Sequence, residues 1–172
     1  MIPINVWILL FLIVVAIILS IFFVFPWLFG APFEPTSKRK LTKIMKLAKI
    51  KKGEKTVDLG SGDGRIVIEM AKKGAEAHGF EINPFLVLMS KRNIRKAGLK
   101  GKAFIHWKSF WSENLGKYDV IVMFQFHTVM KRLKRKLKRE LKNKARIVSY
   151  YWKLPNLKIT KKDENIFLYK KI

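Results

Sequence analysis

The chain contains no cysteine, which excludes a disulfide scaffold, a Cys-bound zinc site and a thiolate nucleophile together. Its three histidines, His78, His106 and His127, stand at no metal-binding spacing, so no metal is expected. Acidic residues are scarce: 12 Asp and Glu face 36 Lys and Arg, a net charge of +24, in a chain that is nonetheless 49% hydrophobic. Position resolves the contradiction. Met1 to Phe33 holds no Asp, Glu, Lys, Arg or His, so every charged side chain falls in the remainder of the 172 residues. That length suits one domain with an apolar segment in front of it.

The apolar segment has neither the basic start nor the A-x-A-like site of a cleaved signal peptide. Val6 to Phe25 is interrupted only by Ser20 and is bracketed by Trp7 and Trp27, with Pro26, Gly30 and Pro32 expected to end it. A helix of that length spans about 30 Å, the hydrocarbon thickness of a bilayer, so a single transmembrane anchor is expected. Lys38, Arg39, Lys40 and Lys43 follow the span and no basic side chain precedes it. The positive-inside rule then leaves the carboxy-terminal domain on the cytoplasmic or equivalent side.

Beyond the anchor, hydrophobic runs of period two alternate with runs of helical period. Helices are expected from Thr36 or Ser37 to about Ile50, over Arg65–Lys73, Pro84–Ala97 and His127–Lys142. Strands are expected over Thr56–Leu59, Ala75–Ile82, Ala103–Trp107, Asp119–Phe124 and Arg146–Trp152, with Leu157–Thr160 and Ile166–Lys170 as a closing hairpin. Between Ser109 and Lys117 there is little room for a helix, so one crossover is abbreviated. The alternation implies an α/β, Rossmann-like parallel sheet with helices on both faces and a C-terminal β-hairpin.

The chemistry concentrates in Val57-Asp58-Leu59-Gly60-Ser61-Gly62-Asp63-Gly64-Arg65. Glycines at alternate positions after a strand let the backbone turn sharply and approach a ligand, and the helix that follows contributes free N–H groups. The pattern also suits dinucleotides. Asp58, at the strand end, would repel a pyrophosphate but pair with an amino-acid ammonium. Glu81 ends the next strand, seventeen residues after Gly64, where it can accept from two ribose hydroxyls. Together these features describe S-adenosylmethionine better than a nicotinamide dinucleotide.

With Phe33-x-Pro35-Thr36, Gly79-Phe-Glu81-Ile-Asn83-Pro84 and Lys136-Leu-x-x-Glu140-Leu added to that turn, the chain resembles the class I, seven-β-strand methyltransferases. Within them it is similar to the small membrane-anchored protein-lysine methyltransferases that modify adenine nucleotide translocase and the ATP synthase c-subunit, and to compact archaeal lysine methyltransferases. The resemblance implies an anchor over residues 1–30, a linker over 31–36 and a methyltransferase domain over 37–172. It implies a cofactor site at Asp58, Gly60, Ser61, Gly62, Gly64, Glu81, Ile82 and Asn83, with Ser109 and Phe110 towards the adenine. Ser109 stands where family members often carry an acid, and Ser149-Tyr150-Tyr151-Trp152 stands where they often carry a His or Arg.

Methyl transfer from a sulfonium is an in-line displacement that needs an unprotonated acceptor, with acceleration from positioning and desolvation. Phe124, Gln125, Phe126, His127, Tyr150, Tyr151 and Trp152 lie at the fourth and fifth strand ends, beside the expected methyl site, and aromatic faces can hold an ammonium. From Lys131 to Arg146, ten of sixteen residues are Lys or Arg. That face is expected to meet anionic lipid headgroups; nucleic acid is the rival partner, but no RNA-binding motif accompanies the charge. The leading expectation is a membrane-anchored enzyme that methylates a lysine of a membrane or membrane-adjacent protein. A methyltransferase for lipid or a hydrophobic small molecule, and a non-catalytic module that binds cofactor or RNA, stay open.

Overall fold

The computed structural model describes residues 4–29 and 35–170, without the side chains of residues 4 and 21–29. Residues 31–34 of the expected linker, with Gly30, Pro32 and Phe33 among the residues singled out above, lie outside the described residues. The chain divides into two compact units, Met1–Glu34 and Pro35–Ile172.

The described residues of the first unit form one helix, α1 (Ile4–Phe29), which continues past Pro26. Its large side chains are exposed from Trp7 to Leu19. Among the described residues, however, no helix is long and apolar enough to cross a membrane. The transmembrane anchor expected over Val6–Phe25 is accordingly corrected to an apolar helix.

In the second unit, α2 (Lys38–Ala48) leads into β1 (Lys55–Leu59), α3 (Arg65–Lys72), β2 (Glu76–Glu81), α4 (Pro84–Lys96) and β3 (Ala103–Trp107). Two short 3-10 turns, Phe110–Ser112 and Leu115–Lys117, replace a helix before β4 (Val120–Met123), as the short spacing requires. Then come α5 (His127–Glu140), β5 (Arg146–Tyr150), β6 (Lys161–Asp163) and β7 (Ile166–Tyr169). Ser37 caps α2 by accepting from Lys40 N, and Asn83 caps α4 with Pro84 in its first turn.

The strands form one sheet in the order β3-β2-β1-β4-β5-β7-β6. The first five are parallel, and β7 pairs antiparallel with both β5 and β6. The hairpin differs from expectation in one strand: its first arm is Lys161–Asp163, and Leu157–Thr160 forms none. Glu164, at φ 51, lets the chain reverse within two residues. As the outermost strand, β6 has an open edge where charged side chains are at home, while Leu157 and Ile159 pack against the core.

Alternate residues of the central strands feed two cores. Val120 and Val122 join Ile44, Val67, Met70, Val87 and Ile94 beneath α2, α3 and α4. Leu59, Ile121 and Met123 join Met130, Leu133 and Leu137 beneath α5. Strand order reverses between β1 and β4, so a crevice opens beyond the carboxy ends of these two strands.

Candidate functional site

Asp58 is the penultimate residue of β1 and is 2% exposed. Among the described residues, its carboxylate accepts no hydrogen bond. Burial, then the negative charges of Glu81 and Asp63, push its pKa well above the usual carboxylate range. A buried acid with acidic neighbours and no cation lacks a counter-charge, and a ligand ammonium would supply one.

The glycine turn follows directly. Gly60, Gly62 and Gly64 all have positive φ, 83°, 54° and 82°. A Cβ on Gly60 would stand 2.8 Å from Gln125 Nε2, and one on Gly64 would stand 2.8 Å from Ser90 Cβ. Gly60 N and Ser61 N both donate to Phe80 O at 3.0 Å, which pins the turn against β2. Ser61 is buried, and its Oγ finds no partner among the described residues.

Glu81, at the end of β2, is buried and already busy. Its Oε1 accepts from Ile82 N and Asn83 N at 2.8 Å, and its Oε2 accepts from Gly62 N at 3.0 Å. With two lone pairs per oxygen, only Oε2 keeps an acceptor direction for a hydroxyl. The expected pair of ribose contacts therefore requires one of these backbone bonds to yield. Asn83 is also engaged, its Oδ1 accepting from Phe85 N and Leu86 N in the α4 cap. Ile82 places its carbonyl under Trp107 Nε1, 3.0 Å away.

The turn is also braced by side chains of the motifs themselves and by Asn93, which no sequence motif marked. Asp63 forms a two-point pair with Arg65, whose Nη1 donates to Thr36 O at 2.7 Å. Asn93 Nδ2 donates to Asp63 O at 3.0 Å. On the other flank, Gln125 Nε2 donates to Leu59 O at 2.6 Å, joining the ends of β4 and β1.

The expected acceptor residues form an aromatic group at the ends of β4 and β5. Phe124 packs on Tyr150 at 4.7 Å between centroids, Tyr151 on Trp152 at 5.1 Å, and exposed His127 on Trp152 at 5.0 Å. Tyr150 is buried, with Lys40 Nζ 4.9 Å from its ring centroid. Tyr151 has φ 71 and its N–H donates to Asn165 O at 2.6 Å; this strained residue leaves its ring half in solvent. Phe126 begins α5 and is exposed, in no ring contact among the described residues. Ser109 and Phe110 lie after β3: Ser109 Oγ accepts from Trp111 N in its own turn, and the Phe110 ring meets Trp111 at a tilt, 4.8 Å between centroids. Phe110 and Trp111 pack against the core beneath α5, which also holds Leu59 and Phe80.

Two histidines that fit no motif are paired by the sheet: His78 Nδ1 and His106 Nε2 are 2.9 Å apart, with Glu76 Oε1 3.0 Å from His78 Nε2. A larger cavity, about 540 Å³, lies between the 3-10 turns and α5, lined by Trp111, Glu113, Lys136 and Glu140. Lys136 is turned inward there, donating to Glu113 O and Glu140 Oε1, so the basic face of α5 lacks one of its expected lysines. This cavity shares no residue with the glycine turn.

The site is built to take the expected cofactor. Among the described residues, Asp58 lacks a cation and Ser61 Oγ lacks a partner, and the turn presents backbone where side chains would collide with their neighbours. Comparison with known proteins points the same way. A family model described as the ANTKMT methyltransferase domain matches residues 58–161. The chain is 36% identical over 125 residues to the ATP synthase c-subunit lysine N-methyltransferase of Homo sapiens, a match covering 73% of this chain and 53% of that protein. It is 34% identical over 125 residues to a protein-lysine N-methyltransferase of Saccharolobus islandicus, covering 72% and 78%. It thus spans about half the length of the human relative and most of the archaeal one. The crystal structure of an RNA methyltransferase from Salinibacter ruber in complex with S-adenosyl-L-homocysteine superposes with a TM-score of 0.75 at 26% identity, covering 80% of this chain and 92% of that one.

Proposed function

Because the chain belongs to the ANTKMT methyltransferase domain family, we propose that it is an S-adenosylmethionine-dependent methyltransferase acting on a lysine of a membrane or membrane-adjacent protein. The observation that carries the reading is Asp58, a buried carboxylate without a counter-charge at the head of a glycine turn. Two named relatives, from Homo sapiens and Saccharolobus islandicus, are protein-lysine methyltransferases, which supports the acceptor. The name of the human one specifies the c-subunit of ATP synthase, and with the excess of basic charge it supports a substrate beside a membrane. We place the domain on the side of the membrane that carries anionic lipid, the cytoplasmic or equivalent face.

When bound, S-adenosylmethionine supplies an electrophilic methyl group on a sulfonium. Asp58 would pair with the ammonium of its amino-acid part, Glu81 would accept from the ribose, and the Gly60–Gly64 turn would give the backbone room to approach. The acceptor amine, with an ordinary pKa of about 10.4, must arrive unprotonated. Phe124, Tyr150 and Trp152 would limit water at the strand ends and so favour the neutral amine. Held in line, such an amine needs no dedicated base beyond solvent once its proton has left.

Native membranes are incubated with methyl-labelled cofactor and wild-type, Asp58→Ala or Glu81→Ala protein, then separated into protein, lipid and RNA. Label is expected on lysine ε-nitrogens in the protein fraction and at background with Asp58→Ala. Glu81→Ala should also lose label, and should cost about 1–3 kcal/mol of stability because three backbone N–H groups lose their acceptor. Label confined to lipid or RNA, or undiminished by Asp58→Ala, would overturn the reading.

A further inference from the structure

The outer edge of the sheet, on the side opposite β6, carries exposed apolar side chains that are not among the expected cofactor or acceptor residues. Leu88 is 70% exposed and Trp107 is 67% exposed, with Met89 beside them 40% exposed. Such side chains are ordinarily solvated singly, but both stand where the end of β3 meets the start of α4. Trp107 ends β3, and its Nε1 is tied to Ile82 O at the entry to α4. Leu88 is one turn into α4, which runs back along β3.

By i, i+3 and i+4 spacing, Leu88, Lys91 and Arg95 share one face of α4. Lys91 and Arg95, with Lys100, Phe104, Ile105 and His106, line a cavity of about 310 Å³ between α4 and β3. None of Lys91, Arg95 and Lys100 forms an ion pair with a described residue. The face is therefore apolar towards the carboxy end of β3 and cationic behind it. An aromatic ring and an aliphatic side chain with cations alongside is the arrangement by which an amphipathic surface lies in a lipid interface.

We propose that the edge formed by α4 and β3 docks on an anionic bilayer, with phospholipid headgroups seated among Lys91, Arg95 and Lys100 while Leu88 and Trp107 enter the acyl boundary. The proposal rests on the membrane-adjacent reading of the substrate and deepens it. Charge complementarity selects the occupant: the cations attract phosphate, and the exposed aliphatic Leu88 has a use against acyl chains but none against a nucleic acid. The docking has a geometric consequence. β1 to β4 are parallel, so Trp107 shares one rim with Glu81, the glycine turn and Phe124. A bilayer held at Trp107 meets the rim on which the candidate acceptor site opens. The basic face of α5 covers the opposite side of the sheet and is a separate surface.

The absence of cysteine allows a single label in the 172-residue chain. Leu88→Cys carrying an environment-sensitive fluorophore is mixed with vesicles of phosphatidylcholine alone or with added phosphatidylglycerol. A blue shift is expected with the anionic vesicles only. The same label at Lys138→Cys, exposed on α5, should stay aqueous. Adding Lys91→Gln, Arg95→Gln and Lys100→Gln to the Leu88→Cys chain should raise the anionic lipid needed for half the shift roughly 100-fold, at about fivefold per cation. Cofactor affinity of the same samples, read by calorimetry, should not change, which separates this result from the fate of the proposed activity. An equal shift on neutral vesicles, a shift at Lys138 but not Leu88, or a shift produced by an RNA oligonucleotide and not by vesicles would overturn the proposal.

Discussion

Asp58 is the residue whose surroundings make least sense without a ligand. Burial, then Glu81 and Asp63, raise its pKa well above the carboxylate range, so the folded chain holds this proton more tightly than the unfolded one. The stability it contributes is complete below the unfolded pKa and is lost as pH rises through the folded value. Glu113 and Glu140 behave oppositely: burial alone would raise them, but hydrogen bonds from Lys108 and Lys117, and from Leu115 N and Lys136, hold them low. Their contribution is present above the unfolded pKa and lost as pH falls. Asp58→Asn removes only the first effect. Without cofactor, the melting temperature of Asp58→Asn minus that of wild type should grow as pH rises from about 4, and added cofactor should raise the wild-type value alone. A difference that stays flat with pH would refute the assignment.

At the scale of elements, β2 owes its packing to a missing side chain. Gly79 pairs with Asp58 on one side and Ile105 on the other. A Cβ there would lie 2.6 Å from Ser61 Cβ and 2.8 Å from Ile105 Cδ1. Its φ is ordinary, so the constraint is space and not conformation. Gly79→Ala should therefore destabilise the domain by about 1–3 kcal/mol, measured by urea denaturation. Ser61→Gly in the same chain should recover part of that loss, because it removes one of the two collisions. Additive losses in the double variant would mean that the two residues do not compete for the same volume.

For the whole molecule, charge is the dominant long-range effect. With 36 basic and 12 acidic residues, cations outnumber the acids three to one. The pairs that do form, such as Lys142–Asp119 and Arg146–Glu54, are few against that excess. Salt weakens both, but like-charge repulsion extends over the whole surface and each ion pair acts at one place. The melting temperature should rise as sodium chloride goes from about 0.05 to 0.5 M, with the Debye length falling below about 10 Å. A fall over that range, followed by differential scanning fluorimetry, would show that the ion pairs outweigh the repulsion.

Most of the sheet and its order of elements was legible in the sequence, because it depends on patterns within short windows. Val120–Met123 is uniformly apolar and becomes a central strand. Leu133 and Leu137 recur at helical spacing and become the buried side of α5. The glycine turn and its strand-end acid are consecutive residues, and a turn's conformation follows from its own glycines. What depends on residues far apart needed the tertiary structure. No local pattern marks Lys161–Asp163 as a strand, since an edge strand is made by its backbone pairing with β7 and needs no apolar face. Thr36 meets Arg65, and Gln125 meets Leu59, only once the sheet has brought their elements together. The same holds for Glu81, legible as a strand-end acid, whose three backbone donors come from two loops. Sequence alone determined which residues prefer strand, turn and helix, because steric and hydrophobic preferences act over a few residues. Only the fold decided which polar atoms were satisfied, and so left Asp58 without a partner among the described residues, because hydrogen bonding and desolvation depend on neighbours the chain supplies from a distance.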